Sequence, residues 1–507
     1  MKRRDFIAIG VAGGLLASCK SLGLPGGIDT KQSKHDLEVW WSEGYYPEET
    51  DAIETIFANW QRITGNKVNL SFFSENELAA KARSAIDGGP TPDLLYGYGI
   101  NDTVVPVLSY QNKLIALDEV VRPFQADLLP GVIDGVTYLN KETKVKSVYA
   151  VPISQHSVNL HYWKDLVEES LGGTDKKIKI SNNWKEFWEF WRTTQKSLRN
   201  KGYDEIYGMA LPMSSLARDT SYIFEFFLEA HNAKIVSLSG KLNVEDPATR
   251  QKIINAIKDY TSNYKEKYVP TRATTWADPD NNINFLSSLS VMTANPTLSI
   301  PGSQLSDEIA YFERLGSLPW PNKLDGSPMQ SFISVKQAIV FNSSNVAKAK
   351  DLLAYVLKTE NLSRYVEGSQ GRFLPTTKSI MAMPFWQNTK DIHIATAKEI
   401  LKSSKIPGWI LNPAYSEVIA KNIWGKAIEA VATDTLSAEK AVDAAITEIR
   451  NIFAGWNQNL NHEKSYFLDQ ALRRHPGLLK RHLTSHLPGC RCSPRGPSTH
   501  EPAGYLE

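Results

Sequence analysis

Cysteine is the rarest residue of this sequence. Only 3 of the 507 residues are cysteines: Cys19 near the N-terminus, and Cys490 and Cys492 near the C-terminus. This scarcity excludes a small disulfide-stabilised fold. The long stretch between Cys19 and Cys490 also offers no thiolate for a zinc site. Near the C-terminus, His482 and His486 precede the two cysteines, but their spacing matches no closed metal site.

An excess of either charge is also missing. The 57 basic and 55 acidic side chains give a net charge of +2, which argues against a general nucleic-acid binder. Common catalytic motifs are missing too, namely H-E-x-x-H, G-x-S-x-G and a phosphate-binding loop. A chain of 507 residues is too long for a single ordinary core, so we expect two lobes.

The N-terminus is typical of a secretion signal. Lys2, Arg3 and Arg4 precede an apolar stretch over residues 6–17, which is shorter than the ~20 residues of a membrane span. The segment Leu16-Ala17-Ser18-Cys19 resembles the bacterial lipobox, whose cysteine is lipidated. We therefore predict a signal peptide over residues 1–19, a lipid anchor at Cys19 and a flexible tether over residues 20–35. Export by the twin-arginine route or by the general route stays open.

Strands and helices alternate in the body of the chain. Leu37, Val39 and Trp41 alternate with polar residues, as in a strand. Helical spacing follows over residues 53–63 and ends at Gly65, and the same alternation of strand and helix continues to Tyr96. A β-α-β-α-β order predicts a mostly parallel sheet flanked by helices, which binds ligands beyond the carboxyl ends of its strands.

A second aromatic helix is predicted after Asn183. Asn183 is suited to be its N-cap. Trp184, Phe187, Trp188 and Trp191 recur at helical spacing, which favours a core stripe over a ligand site.

Six segments, in order, resemble the extracellular solute-binding proteins of ABC importers, in particular the sugar-binding members. They cover roughly residues 35–456 and read LEVWWSEGYYPEETDAIETIFANWQRITGNKVNL, GGPTPDLLYGYGIND, YAVPISQHSVNLHYWKDLVEES, NFLSSLSVMTANPT, AKAKDLLAYVLKTENLSRYVEG and AVDAAITEIRNIFAGW. The resemblance implies the α/β, two-lobed periplasmic-binding-protein fold of type II. Its mostly parallel sheets are flanked by helices, and a hinge joins the lobes.

The resemblance also implies how the chain is divided. Lobe 1 would comprise residues 36–153 and 316–361, and lobe 2 residues 154–315 and 362–456. The chain would cross between the lobes near residues 152–154 and 315–316. Residues 457–507 would form a disordered extension, because their composition changes abruptly.

The implied function is capture of a sugar or oligosaccharide between the lobes and its delivery to the membrane permease. The protein would be an anchored monomer in the periplasm or on the cell surface, on the outer face of the cytoplasmic membrane. It would need no cofactor and no metal and would catalyse no reaction. At residues 295–296 the sequence is Asn-Pro, where the maltose-binding member of the family has an aromatic residue, so maltose is not implied.

The candidate ligand residues are aromatic and polar side chains in loops that follow strands. A sugar presents an apolar ring face, which stacks on aromatic rings, and hydroxyls, which bond to polar groups. In the first loop we prefer Trp41 to Trp40 for the cleft. The full set comprises Trp41, Glu43, Tyr45, Tyr98, Asn101, Asp102, Gln155, His156, Trp276, Asp278, Asn295, Trp409, Asn412 and Tyr415.

Three alternatives remain open from the sequence. A calcium loop over residues 276–282 lacks the usual glycine and terminal glutamate. A secreted carbohydrate-active enzyme would use paired carboxylates, which any protein of this size contains. The third alternative is a binding protein for a non-sugar solute. Acidic side chains in the cleft would indicate a polyamine ligand, and basic side chains would indicate glycerol phosphate.

Overall fold

The computed structural model describes residues 36–173, 177–237, 240–343, 345–408 and 412–474. The predicted signal peptide, the lipidation site Cys19 and the candidate ligand residue Trp409 lie outside the described residues, as does the chain beyond residue 474.

The first lobe is built on a five-stranded sheet with the order β2-β1-β3-β11-β6. The strands are β1 (Leu37–Ser42), β2 (Val68–Phe73), β3 (Leu94–Gly97), β6 (Val151–His156) and β11 (Ser334–Val340), and a small hairpin is formed by β4 (Thr137–Leu139) and β5 (Lys146–Val148). Leu37, Val39 and Trp41 are fully buried, so the alternation seen in the sequence marks the core face of β1.

Helices that bury apolar side chains in this first core come from two parts of the chain. They are α1 (Pro47–Thr64), α2 (Glu75–Ser84), α3 (Ile100–Thr103), α4 (Val105–Tyr110), α5 (Asp118–Val121), α12 (Val346–Val356), α13 (Thr359–Gly368), α14 (Lys378–Met381), α15 (Pro384–Gln387) and α16 (Ile392–Lys402). Helix α1 ends where expected, at Gly65, whose φ of 72° is a left-handed conformation that glycine adopts readily.

The second lobe has a four-stranded sheet with the order β10-β7-β9-β8. Its strands are β7 (Asn159–Trp163), β8 (Tyr207–Ala210), β9 (Ser290–Asn295) and β10 (Leu315–Leu318). Its helices are α6 (Lys164–Leu171), α7 (Trp184–Asn200), α8 (Arg218–Ala230), α9 (Pro247–Lys265), α10 (Asp280–Leu286), α11 (Ser299–Gly302), α17 (Pro413–Ala420), α18 (Ile423–Ala432) and α19 (Ala438–Arg474). Short helical turns lie at Arg122–Asp127, Asp134–Val136, Thr271–Thr275 and Ile309–Arg314.

Both sheets are mostly parallel, as predicted, with one reversed strand in each: four of the five strands of the first sheet and three of the four strands of the second run in one direction. In the first sheet β1 is parallel to β2 and β3, but β11 runs antiparallel to β3 and β6. In the second sheet β8 and β9 are parallel, whereas β7 is antiparallel to β9 and β10. The antiparallel partners β7 and β11 are the strands that the chain enters directly after crossing between the lobes.

The chain passes between the lobes at three places, all later than the sequence suggested. Strand β6 stays in the first sheet up to His156, so the first crossing is at residues 157–158. Strand β10 pairs with β7, so the second crossing lies within residues 319–333. Helices α13 to α16 pack on the first core and α17 packs on the second, so the third crossing lies between α16 and α17.

The last helix, α19, continues past Trp456 to Arg474. From the sequence we predict a disordered extension that starts at residue 457. The backbone from residue 457 to Arg474 is helical instead.

Candidate functional site

A pocket lies between the lobes where the chain crosses from one to the other. Its empty space, including the mouth, is about 430 Å³. All three crossings contribute to its wall, through Ser157 and Val158, Phe332 and Ile333, and Pro407. We call this the interlobe pocket, and its lining is completed by Asp102, His156, Tyr222, Glu225, Phe226, Pro296 and Ser334.

Three buried polar atoms on the lining of this pocket have no hydrogen-bond partner among the described residues. They are Oδ1 of Asp102, Nε2 of His156 and Oγ of Ser157. Buried polar atoms are normally satisfied, because leaving one unpaired costs about 1–3 kcal/mol. Their convergence on one pocket is the arrangement expected where a polar ligand completes the hydrogen bonding.

Asp102 is placed by a tight turn after β3. Gly99 adopts a φ of 76°, which starts α3 and turns Asp102 into the pocket. The Tyr222 hydroxyl of α8 donates to Oδ2 of Asp102 at 2.7 Å. Burial raises the pKa of Asp102, while the charge of Lys336 opposes that shift.

His156, at the end of β6, is held as a neutral ring. Its Nδ1 bonds to the carbonyl oxygen of Pro296, so Nδ1 carries the proton and Nε2 is left as an acceptor. Burial lowers the pKa of His156 well below its usual value, and the nearby Lys336 lowers it further. The ring stacks on Tyr98 with 5.8 Å between centroids.

A group of charged side chains surrounds Tyr98 beside the pocket. Lys336 Nζ lies 3.5 Å from the centre of the Tyr98 ring, and Arg218 Cζ and Arg372 Cζ lie 5.6 Å and 5.5 Å from it. Burial lowers the pKa of Lys336 to about 7, against the attraction of Asp102. Lys336 and His156 already lie against the half-buried ring of Tyr98, and its contact with a ligand stays a prediction.

Carboxylates balance the charges of Arg372 and Arg218, and one carboxylate, Glu75, joins the lobes by pairing with both arginines. Arg372 Nη2 donates to Glu75 Oε1 at 2.8 Å, and Arg372 Nη1 lies 3.7 Å from Glu49 Oε2. Arg218, in the second lobe, lies 4.0 Å from the same Glu75 and 3.8 Å from Asp278. Burial alone would raise the pKa of Glu75, but the charge and hydrogen bond of Arg372 lower it. Asp278, a predicted ligand residue, therefore positions Arg218.

The preference for Trp41 over Trp40 in the cleft is wrong. Trp41 is fully buried in the first core, where it stacks on Tyr96 at 4.3 Å and donates from Nε1 to the Tyr365 hydroxyl at 3.4 Å. Trp40, on the opposite face of β1, is half-buried and packs edge-on against Phe73. The alternation that buries Leu37 and Val39 also fixes Trp41 inside.

The remaining aromatic candidates are dispersed. Trp276 is buried in the second core. Tyr415 is also buried and accepts from Trp424 Nε1 at 3.1 Å. Tyr45 is 40% exposed, with Arg372 Cζ 4.7 Å from its ring.

The polar candidates outside the pocket are used by the fold or lie on the surface. Asn101 Nδ2 donates to Ser334 Oγ at 2.8 Å, and Gln155 Nε2 donates to the Pro375 carbonyl at 2.7 Å. Asn295 Nδ2 donates to the Thr297 carbonyl at 2.7 Å, and Asn412 caps α17 by accepting from the Ala414 backbone. Glu43 is exposed on the surface.

Of the predicted residues, Asp102 and His156 meet in the interlobe pocket. Tyr222, Glu225 and Phe226 were missed, although their spacing places them on one face of α8. Lys336 was missed as well, and a lysine in a strand that ends in the apolar run Ala338 to Val340 was an available signal.

The described residues form neither a metal-binding cluster nor a membrane-spanning helix. They contain no group of three or more His, Cys, Asp or Glu side chains arranged to hold a metal ion, the loop over 276–282 included. In that same part of the chain, no helix is long and apolar enough to cross a membrane.

Solved structures with the same two-lobed fold include several that hold sugars. An ABC transporter solute-binding protein from Thermotoga lettingae, bound with α-D-tagatose, matches with a TM-score of 0.67 and 19% identity over 82% of this chain and 99% of its own. Maltose-bound MalE3 of T. maritima matches with a TM-score of 0.64 and 18% identity, over 82% of this chain and 99% of its own. A sugar transporter structure from Arthrobacter chlorophenolicus with bound laminaribiose matches with a TM-score of 0.66 and 16% identity, over 82% of this chain and 99% of its own.

Comparison by sequence gives a family and no individual relative. No curated protein matches this chain significantly. The family model of the bacterial extracellular solute-binding proteins matches residues 55–395. Because that match spans more than half of the 507 residues, the protein belongs to the bacterial extracellular solute-binding proteins.

Proposed function

We propose that this chain is the substrate-binding subunit of a bacterial ABC importer, which captures a sugar or oligosaccharide between its lobes and delivers it to the membrane permease. The observation that carries this proposal is the set of unpaired polar atoms in the interlobe pocket. Asp102 Oδ1 and His156 Nε2 accept hydrogen bonds, and Ser157 Oγ both donates and accepts. Sugar hydroxyls do both, so a sugar hydroxyl is a suitable partner for each of the three atoms.

Aromatic rings complete the match to a sugar. Tyr222, Phe226 and Phe332 line the same pocket as the polar atoms, and aromatic faces pack against the apolar face of a sugar ring. The ligands named for the similar structures, tagatose, maltose and laminaribiose, are all sugars, which supports the same ligand class for this chain.

The ion pairs beside the pocket favour a neutral ligand. Arg218 and Arg372 both face carboxylates, with Glu75 between them. Neither the acidic cleft of a polyamine-binding protein nor the unpaired basic cleft of a phosphate-binding one fits this balance.

Capture takes place outside the cytoplasm, where members of this family act. Lipidation of Cys19 after Leu16-Ala17-Ser18 anchors the protein, as a monomer, to the outer face of the cytoplasmic membrane. The lobes open to admit the sugar, close over it and then dock on the permease.

One observation favours the second candidate, a secreted carbohydrate-active enzyme. Two carboxyl groups, Asp102 and Glu225, line the same pocket, and glycoside hydrolysis uses such a pair. Incubation with oligosaccharides distinguishes the two: we expect no new reducing ends, and their appearance would favour the enzyme.

A thermal-shift screen across mono-, di- and trisaccharides, a polyamine and glycerol phosphate tests the proposed function. Because a ligand that binds only the native state raises the melting temperature, we expect a rise of several degrees with one group of sugars. A rise with spermidine or glycerol phosphate alone would contradict the sugar assignment.

A further inference from the structure

Two buried histidines face each other across the junction of the lobes. His161 lies on β7 of the second lobe, and His393 lies at the start of α16, which packs on the first core. Their ring centroids are 6.4 Å apart. Ser317 of β10, which is paired directly with His161, lies between the two rings. Strand β7 follows the first crossing between the lobes, β10 precedes the second and α16 precedes the third.

A chain of hydrogen bonds gives each proton of this group a defined place. His393 Nε2 donates to the carbonyl oxygen of Tyr311 at 2.9 Å, so Nδ1 of the neutral ring is an acceptor. The Ser317 hydroxyl donates to this Nδ1 at 2.6 Å and accepts from His161 Nδ1 at 2.8 Å. With both rings neutral, the bond between Ser317 and His393 joins the second lobe to the first.

An added proton would disturb this chain at either end. On His393 the proton occupies Nδ1 and displaces the hydroxyl hydrogen of Ser317 from its acceptor. On His161 it occupies Nε2, which is buried and has no hydrogen-bond partner among the described residues. The Thr297 backbone favours a proton on His161, but burial outweighs this effect.

The charged groups around the pair act in opposite directions. Burial and the neighbouring His393 lower the pKa of His161 to about 3. Burial also lowers the pKa of His393, and the charge of Lys164 adds to that shift. The Tyr311 carbonyl and Asp391 oppose it, while Asp391 is itself bonded by the Tyr311 hydroxyl at 2.7 Å. The closed arrangement of the lobes therefore favours two neutral rings.

We propose that His161, Ser317 and His393 form a pH-sensitive latch, which holds the lobes together while both rings are neutral and releases them in acid. Opening of the lobes separates His393 from Ser317 and admits water, so that the rings can take up protons. Because members of this family act outside the cytoplasm, the latch would respond to the pH of the surroundings.

The direction of the effect follows from the number of protons bound in each arrangement. A histidine in contact with water titrates at about pH 6.5, whereas the buried rings of the latch stay neutral to lower pH. The open arrangement therefore binds more protons as the pH falls, and acid favours it. Between pH 7.5 and pH 5.5 the ratio of closed to open molecules should fall roughly tenfold for each ring, and about a hundredfold for both.

Small-angle X-ray scattering of the ligand-free protein at pH 7.5 and pH 5.5 tests the latch. We expect the wild type to have a larger radius of gyration at pH 5.5. The double variant His161→Gln/His393→Gln keeps hydrogen-bonding side chains that do not titrate, so its radius should change much less. His156 of the interlobe pocket is present in both proteins, so its own contribution cancels in the comparison.

The control is His231→Gln. His231 ends α8 and pairs with Asp259 of the same lobe, so this variant should respond to pH like the wild type. An equal radius of the wild type at both pH values, or an equal increase in the wild type and the double variant, would overturn the latch.

Should the double variant lose more than a few degrees of melting temperature, nitrogen-15 NMR of the histidine-labelled wild type replaces it. At pH 7.5 we expect neutral rings, with the proton of His161 on Nδ1 and that of His393 on Nε2. Both should take up a second proton only as the radius of gyration increases. Titration of either ring at about pH 6.5 with a constant radius would overturn the proposal. These measurements use no sugar, so their outcome is independent of the proposed function.

Discussion

The Tyr222 hydroxyl of the second lobe donates a hydrogen bond of 2.7 Å to Asp102 Oδ2 of the first lobe. The other carboxylate oxygen of Asp102 is buried and has no hydrogen-bond partner among the described residues, and Asp102 lines the interlobe pocket. One carboxylate thus joins the two lobes through one oxygen and leaves the other unpaired. Under the proposed function, lobe closure and ligand binding depend on the same side chain.

Tyr222→Phe should weaken sugar binding. The variant keeps the ring but removes a hydrogen bond to a charged group, which is worth about 1.5–3 kcal/mol, so we expect roughly a tenfold or larger rise in Kd. Calorimetry measures it. Tyr203→Phe, at a residue 42% exposed, serves as the control, and equal affinities for the two variants would refute a role for this contact.

Glu75→Gln should favour the open arrangement of the lobes. Glu75 is the acidic partner shared by Arg372 and Arg218. Its loss leaves Asp278 as the ion-pair partner of Arg218 among the described residues. We expect a cost of about 1–2 kcal/mol, less than for a fully buried pair because 30% of the Glu75 side chain is exposed.

Small-angle X-ray scattering checks this change as a larger radius of gyration than that of the wild type. Glu54→Gln, at an exposed position on α1, is the matched control. An unchanged radius together with an unchanged melting temperature would show that Glu75 does not hold the lobes together.

Trp41→Ala should destabilise the fold and spare the binding site. Removing a fully buried tryptophan costs about 3–5 kcal/mol, whereas Trp40→Ala removes a half-buried ring and should cost less. Urea unfolding of both variants measures the difference. If Trp41→Ala instead lost affinity at unchanged stability, Trp41 would belong to the cleft after all.

Stability should depend on pH through Glu225. Its pKa rises from 4.5 to about 8 on folding, because of burial and the neighbouring Glu229, against the opposing bond from Tyr415. The folded state then binds the extra proton between these two values, so stability falls as pH rises from about 5 to about 8.

The variant Glu225→Gln should not lose stability through this group as the pH rises, because glutamine does not titrate. The melting temperature of the wild type, minus that of the variant, should fall by several degrees over the same range. A difference that does not change with pH would mean that Glu225 titrates normally in the folded protein.

Local order in the chain was predictable from the sequence. The side chain of Asn183 caps α7 by accepting from the backbone of Lys185 and Glu186, and the stripe from Trp184 to Trp191 is buried, both as predicted. Local spacing sufficed here because caps and helix faces are set by residues three or four positions apart.

The site was only partly predictable, because it is assembled from distant parts of the chain. Asp102, Tyr222 and Phe332 are brought together by the three crossings, and their exact places could not be predicted from local patterns. Aromatic residues next to polar loops were a poor guide: Trp41 and Trp276 satisfy that criterion, yet both pack in cores.

Calorimetric titration of wild type, Asp102→Asn and Asp204→Asn with the sugar that gives the largest thermal shift tests the central claim most directly. Asp102 lines the interlobe pocket, whereas Asp204 is exposed on the surface. We predict one binding site per chain in the wild type, at least a tenfold loss of affinity in Asp102→Asn and no change in Asp204→Asn. Unchanged affinity in a folded Asp102→Asn protein would contradict a sugar site between the lobes.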